Sequence, residues 1–128
     1  MNMQIESREK LIQIFFGLWL GKGNTDLHSI FSEDVEYTEC YGPVYMGIDQ
    51  VERWFVNWQK KGKVFSWDIK NIIHQNNFCV VEWNFNYQYD DTRDNFDGVT
   101  ILEFDENDKI KSAKEFQSKS QHYYPYMD

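Results

Sequence analysis

Four residues of this chain have the types and spacings for proton chemistry. Glu115 and Gln117 alternate in the stretch from Lys109 to about Gln121, and Tyr37 and Glu39 alternate between Val35 and Tyr41. Residues two apart share one face of a strand. A carboxyl placed on an apolar sheet face is poorly solvated, which raises its pKa toward the range useful for a general acid or base. Glu115 is therefore the first candidate for catalysis and Glu39 the second. Each also has a structural reading. Glu115 can serve as the partner of a backbone amide, of Gln117 or of a tyrosine hydroxyl. Glu39, beside Gly42-Pro43, can simply be solvated.

Other chemistries find little support. His28, His74 and His122 form neither His-x-His nor i, i+4 spacing, so no metal site is expected. No Gly-rich phosphate loop and no Ser-His-Asp signature is present, and no cofactor is expected. Cys40 and Cys79 fit no metal-type spacing and read as two buried free thiols, although a disulfide between them is an alternative.

These groups must be positioned by helices and strands whose periods are legible. Leu11, Ile14, Phe15, Leu18 and Trp19 recur at helical spacing and place a helix over Ser7 to about Lys22. Gly21 and Gly23 end it. A second, short helix is expected over Asp26 to Phe31. A third runs from Ile48 to about Lys60, with Ile48, Val51, Phe55 and Trp58 as its apolar stripe and Trp54 alongside. Strands are expected over Val35–Tyr41, Val64–His74, Phe78–Tyr89, Arg93–Phe104 and Lys109 to about Gln121. Between them lie turns at Gln75-Asn76-Asn77, Asp90-Asp91 and Asp105 to Asp108. Helices before a strand meander imply an α+β domain, with helices on one face of a bent, mainly antiparallel sheet.

Alternation then assigns an inner wall. With Thr100 inward, Gly98 and Leu102 follow, and the last strand turns Ala113, Glu115 and Gln117 to the same side. In the central strand Val81, Trp83, Phe85 and Tyr87 form the inner set. Trp19, Trp54 and Trp58 from the helices complete an aromatic pocket whose polar groups are Tyr37, Glu39, Thr100, Glu115 and Gln117. A few convergent polar groups in an apolar cavity are the usual make-up of a small-molecule site. The outward set, Val80, Glu82, Asn84 and Asn86 with Val99, Ile101 and Glu103, is too apolar for a solvated face and suits a homodimer interface.

Composition sets outer limits. The 128 residues suffice for one domain with its own core, and aromatics make up 18% of the chain. A net charge of -8 disfavours nucleic acid and anionic membranes as partners. No run approaches a membrane span and no signal peptide is evident, so a cytoplasmic protein is expected.

Several short pieces, in this order, carry a family resemblance. They are Phe31-Ser32-Glu33-Asp34-Val35, Gly47-Ile48-Asp49-Gln50-Val51, Glu82-Trp83, Gly98-Val99-Thr100, Glu103-Phe104-Asp105, Lys109-Ile110 and Lys114-Glu115-Phe116. From about Glu9 to Gln121 the chain resembles the SnoaL-like branch of the nuclear-transport-factor-2-like superfamily, whose relatives include ketosteroid isomerase and polyketide cyclases. The resemblance implies a single cone-shaped α+β domain over residues 1–128, three N-terminal helices on a strongly bent sheet, and dimerisation through the sheet. It does not imply the steroid-isomerase mechanism. On the alignment through the Asp105–Lys109 turn, the late-strand acid of that enzyme falls at Thr100. Its helix-one tyrosine falls near Phe15 or Phe16, which donate no hydrogen bond, and its base falls near Tyr37. The expectation is a small, apolar or aromatic ligand in the cone, with acid–base isomerisation, cyclisation or dehydration by Glu115 or Glu39. A non-catalytic binder, or a dimeric interaction module with a filled cone, is the alternative.

Overall fold

A computed structural model describes residues 2–126. Its first helix, α1, spans Met3–Trp19 and starts earlier than the expected Ser7, because Asn2 caps it. The Asn2 side chain accepts from the amides of Gln4 and Ile5 at 2.8 and 3.4 Å. Past the end of the helix Gly21 takes φ 75° and Lys22 N–H donates back to the Gly17 carbonyl at 2.8 Å, so the chain reverses cleanly.

The expected helix over Asp26 to Phe31 is absent. In its place is one 3-10 turn, Leu27–Ser29, followed directly by strand β1, Phe31–Thr38. The reason is a competing use of the same residues. Ile110 N–H donates to the Ile30 carbonyl at 2.9 Å and Phe31 pairs with Ile110, which draws both apolar residues into the sheet. Among the described residues the fold therefore has two α-helices, not three. Strand β2, Val44–Met46, was also not expected; it follows the Gly42-Pro43 turn and pairs antiparallel with β1. Helix α2 spans Ile48–Lys61, and β3 (Gly62–Gln75), β4 (Phe78–Tyr89), β5 (Thr92–Phe104) and β6 (Ile110–Lys119) follow.

The six strands form one sheet in the order β2-β1-β6-β5-β4-β3. The meander from β3 to β6 is antiparallel throughout, while β1 joins β6 in parallel. Breaks in register at Val64/Ser66 and Ile69/Asn71 in β3, and at Glu103/Phe104 between β5 and β6, are bulges of the kind that bend a sheet. Both helices lay their aromatic faces on the inner side. Phe16 stacks on Trp67 with ring centroids 3.8 Å apart, and Trp19 packs against Trp54, Phe55 and Trp58.

Two residues pin this arrangement. Gly98 lies under the Trp83 ring; a Cβ there would overlap the indole and come within 2.5 Å of the Phe116 carbonyl oxygen. Arg8, buried on α1, bonds Asp108 Oδ1 at 2.8 Å and the Asn76 carbonyl at 3.1 Å, and lies over the Phe104 ring. One guanidinium thus ties the β3–β4 and β5–β6 turns to the first helix. The tail tyrosines Tyr123, Tyr124 and Tyr126 are exposed.

Candidate functional site

Parallel pairing of β1 with β6 is what assembles the site. It sets Tyr37 opposite Ala113 and brings its hydroxyl to Glu115, which stands opposite Thr100 on β5. Tyr37 Oη donates to Glu115 Oε2 at 2.5 Å, and the Cys40 backbone N–H donates to Glu115 Oε1 at 3.2 Å. Tyr37 and Glu115 are buried, whereas Cys40 is half-buried rather than the buried thiol expected. Burial pushes the Glu115 carboxyl up to about 7; the two donors pull it down and the nearby Glu39 charge pushes it further up. Burial, followed by the Glu115 charge, holds the Tyr37 phenol well above its ordinary value, so it remains a donor.

Glu39 sits just beyond the end of β1. Its Oε1 accepts from the Tyr45 hydroxyl on β2 at 2.7 Å. Desolvation raises its pKa, against the pull of Tyr45 and Trp54. The Trp54 indole N–H nonetheless has no hydrogen bond of acceptable geometry to any described residue. Cys40 is a thiol, raised to about 12 by burial and by the two carboxylates.

Two spaces adjoin these groups. An open cleft of about 870 Å³ is walled by Tyr41, Tyr45, Trp54, Trp58, Tyr87 and Tyr89, with Glu39, Gln50 and Arg53 among its polar groups. Behind it, between the helices and the sheet, is a small cavity of about 30 Å³ walled by Trp19, Trp54, Trp67, Trp83, Phe85 and Phe96 with Glu39 and Glu115. Glu39, Tyr41, Trp54 and Trp58 line both and so stand between them. Glu115 lines only the inner space. The inner space is thus largely filled by aromatics, and the outer one is open.

The expected site residues divide accordingly. Glu115, Glu39, Trp54, Trp58, Trp83 and Phe85 line one or both spaces. Tyr37 reaches them through its bond to Glu115. Thr100 is buried and its hydroxyl accepts from the Trp83 indole at 2.8 Å, so it supports the wall rather than facing a ligand. Gln117 has the inward parity but is exposed, among the polar residues of a separate groove with Asn86, Arg93 and Ser118; it does not join the pocket.

Sequence reasoning missed Trp67, Tyr41, Tyr45 and Cys40. Trp67 follows the register break at Val64/Ser66, which hides its inward parity from simple alternation. The others flank or occupy the Gly42-Pro43 turn, where no period operates.

The remaining titratable clusters lie elsewhere. His74 Nε2 meets Glu9 Oε2 at 2.6 Å and its Nδ1 meets Cys79 Sγ at 3.0 Å. Cys79 is buried and its thiol is pushed up to about 11. Asp26, His28 and Glu52 bring ligand atoms within 4.8 Å of one another on the surface, a grouping the sequence spacing did not suggest. None of these residues lines the cleft or the inner cavity. Cys40 and Cys79 are free thiols.

Comparison with known proteins decides the family. The SnoaL-like domain model matches residues 14–113. The chain belongs to the SnoaL-like domain family. No curated protein matches it. Solved structures resemble this SnoaL-like domain in fold at low identity. A hypothetical protein with a ketosteroid isomerase-like fold from Catenulispora acidiphila, in complex with trimethylamine, is 16% identical with a TM-score of 0.71, covering 84% of this chain and 85% of its own. A candidate SnoaL-like polyketide cyclase from Mesorhizobium loti is 15% identical with a TM-score of 0.73, covering 91% and 99%. An LEH-like epoxide hydrolase from M. tuberculosis is 12% identical with a TM-score of 0.72, covering 87% and 82%. At these identities the likeness concerns the fold, and the chemistry must be argued from the residues themselves.

Proposed function

We propose that this SnoaL-like domain binds a small, largely apolar or aromatic molecule at the mouth of the cone and performs acid–base chemistry on it. The observation that carries this reading is Glu115, a buried carboxyl with a pKa of about 7 behind an aromatic cleft. A group half-protonated near neutrality can take a proton from a bound molecule and return it at another atom. Isomerisation, cyclisation and dehydration all need that exchange. Glu39, on the wall shared by both spaces, is the carboxyl a ligand entering from the cleft meets first. The known neighbours carry cyclase and epoxide-hydrolase assignments and, in one case, bound trimethylamine, which supports a small-molecule pocket on this scaffold.

The test is turnover of small cyclic and aromatic substrates by the wild-type chain and by Glu115→Gln and Glu39→Gln. Loss of turnover in Glu115→Gln with unchanged folding supports the assignment; unchanged kinetics removes Glu115 from the mechanism. A second reading rests on the inner cavity, whose 30 Å³ admits no whole substrate. In that reading the cleft holds a ligand as a carrier or sensor does, and prolonged incubation gives binding without product.

The assembly proposed with either reading is a homodimer through the outer sheet face. Ile73, Val80 and Ile101 form one cross-strand row there, and Val99 and Phe116 belong to the next. Ile73, Ile101 and Phe116 are exposed, and Glu103 and Lys111 form an ion pair on the sheet at 3.1 Å. Ile101→Glu should shift the sedimentation coefficient to that of a monomer if this face is the interface. No described helix is long and apolar enough to cross a membrane, and the acidic charge disfavours nucleic acid and anionic surfaces as partners.

A further inference from the structure

Four buried side-chain polar atoms have no hydrogen-bond partner among the described residues, and three are indole N–H groups, those of Trp19, Trp54 and Trp67. These tryptophans come from three different elements, α1, α2 and β3, yet all three line the same inner cavity. A fourth tryptophan in that wall, Trp83, behaves differently: the protein supplies it with the Thr100 hydroxyl at 2.8 Å. An unsatisfied buried donor is destabilising, so three around one small space is an unusual arrangement. The carboxyls that line the same cavity already accept other donors, and none makes a hydrogen bond to Trp19 or Trp67. Glu115 receives Tyr37 and the Cys40 amide, and Glu39 Oε1 receives Tyr45.

We infer that the inner cavity is an acceptor site, in which the indole N–H groups of Trp19, Trp54 and Trp67 hold the neutral carbonyl-type oxygen of a ligand whose apolar body fills the cleft. The volumes agree with this division. About 30 Å³ is room for one small polar group, since a single water needs roughly 10–15 Å³ by the same measure, whereas the cleft accommodates a ring system. The charge of the wall selects the chemistry. An anionic head would face the carboxyls of Glu39 and Glu115, and a cation has no lone pair to offer an indole donor. An uncharged oxygen meets neither objection. The inference rests on the small-molecule reading above and specifies which end of the molecule goes in first.

The test uses three probes of one shape: acetophenone, α-methylstyrene, in which C=CH2 replaces C=O, and benzoate. The readout is the indole N–H signals in 1H–15N spectra of the full chain, assigned with single Trp→Phe variants. Acetophenone is expected to move the Trp19, Trp54 and Trp67 signals downfield and to leave Trp83 in place. The methylstyrene carries the same ring, so its ring-current effects serve as the reference, and it should lack the downfield component. Acetophenone should also bind about three- to tenfold more tightly, the worth of a neutral hydrogen bond. Equal shifts and affinities for the ketone and the alkene overturn the inference, as does tighter binding of benzoate, or no indole response to any probe. The spectra need no turnover. In Glu115→Gln the indole response should persist, so a failure of the acid–base reading and a failure of the acceptor site give separate results.

Discussion

Replacing Glu115 by Gln should change how stability depends on pH, and the size of the change follows from the site. The carboxyl titrates near 7 when folded, against a reference of 4.5 in an open chain. A raised acid pKa means that the folded state holds the proton more tightly. Its contribution is therefore fully present below about pH 4.5 and is lost as pH rises through 7. Between pH 5 and pH 8 the wild-type chain should lose roughly 2–3 kcal/mol from this one group, at 1.36 kcal/mol per pKa unit. Gln does not titrate. It can still accept from Tyr37, but its second position then carries N–H groups facing the Cys40 amide, a pH-independent cost of about 1 kcal/mol or more. Urea unfolding of both chains at pH 5 and pH 8 reads the difference directly. Wild type should be the more stable at pH 5, with its advantage shrinking or reversing at pH 8. Parallel pH dependences in the two chains would refute the argument, because they would mean that Glu115 gains no proton affinity on folding.

Three further perturbations test parts of the structure. Tyr37→Phe removes the donor that stabilises ionised Glu115, so the Glu115 midpoint should rise above its wild-type value in a 13C titration; an unchanged midpoint would deny the hydrogen bond its role. Gly98→Ala should destabilise the fold by about 1–3 kcal/mol in urea melts, because the new methyl group overlaps the Trp83 ring and a carbonyl that cannot yield. Arg8→Ala should cost about 2 kcal/mol, less than a wholly buried ion pair because Asp108 is partly solvated, with faster amide exchange at the β3–β4 and β5–β6 turns.

What could be read in the sequence was whatever a single period controls. Alternation in β4 and β5 correctly turns Val81, Trp83, Phe85, Tyr87, Thr100 and Leu102 inward, and of the helical stripe in α2 Ile48 and Val51 are buried and Phe55 and Trp58 half-buried, with Trp54 alongside them buried. The misses occur where a period is interrupted or a long-range contact decides. Ile30 and Phe31 suit a short helix by spacing, yet pairing with Ile110 recruits them to the sheet. The parallel joining of β1 to β6 couples residues 78 apart in the chain, and it is this pairing that sets Tyr37 against Glu115. Gln117 shows the limit of parity. It shares a face with Glu115, but Gly98 opposite it offers no side chain and the Trp83 ring already covers that glycine, leaving Gln117 in solvent. Glu115 itself was accessible to reasoning because a lone carboxyl stood on an apolar face. The partners that hold it, Cys40 above all, were not.

The most direct measurement is the titration of the Glu115 carboxyl carbon by 13C NMR in the wild-type chain, assigned by its loss in Glu115→Gln. A midpoint near 7 is expected from a carboxyl buried behind the cleft and beside Glu39. A midpoint near the ordinary 4.5 would contradict the acid–base assignment, leaving Glu115 a permanently ionised structural partner of Tyr37.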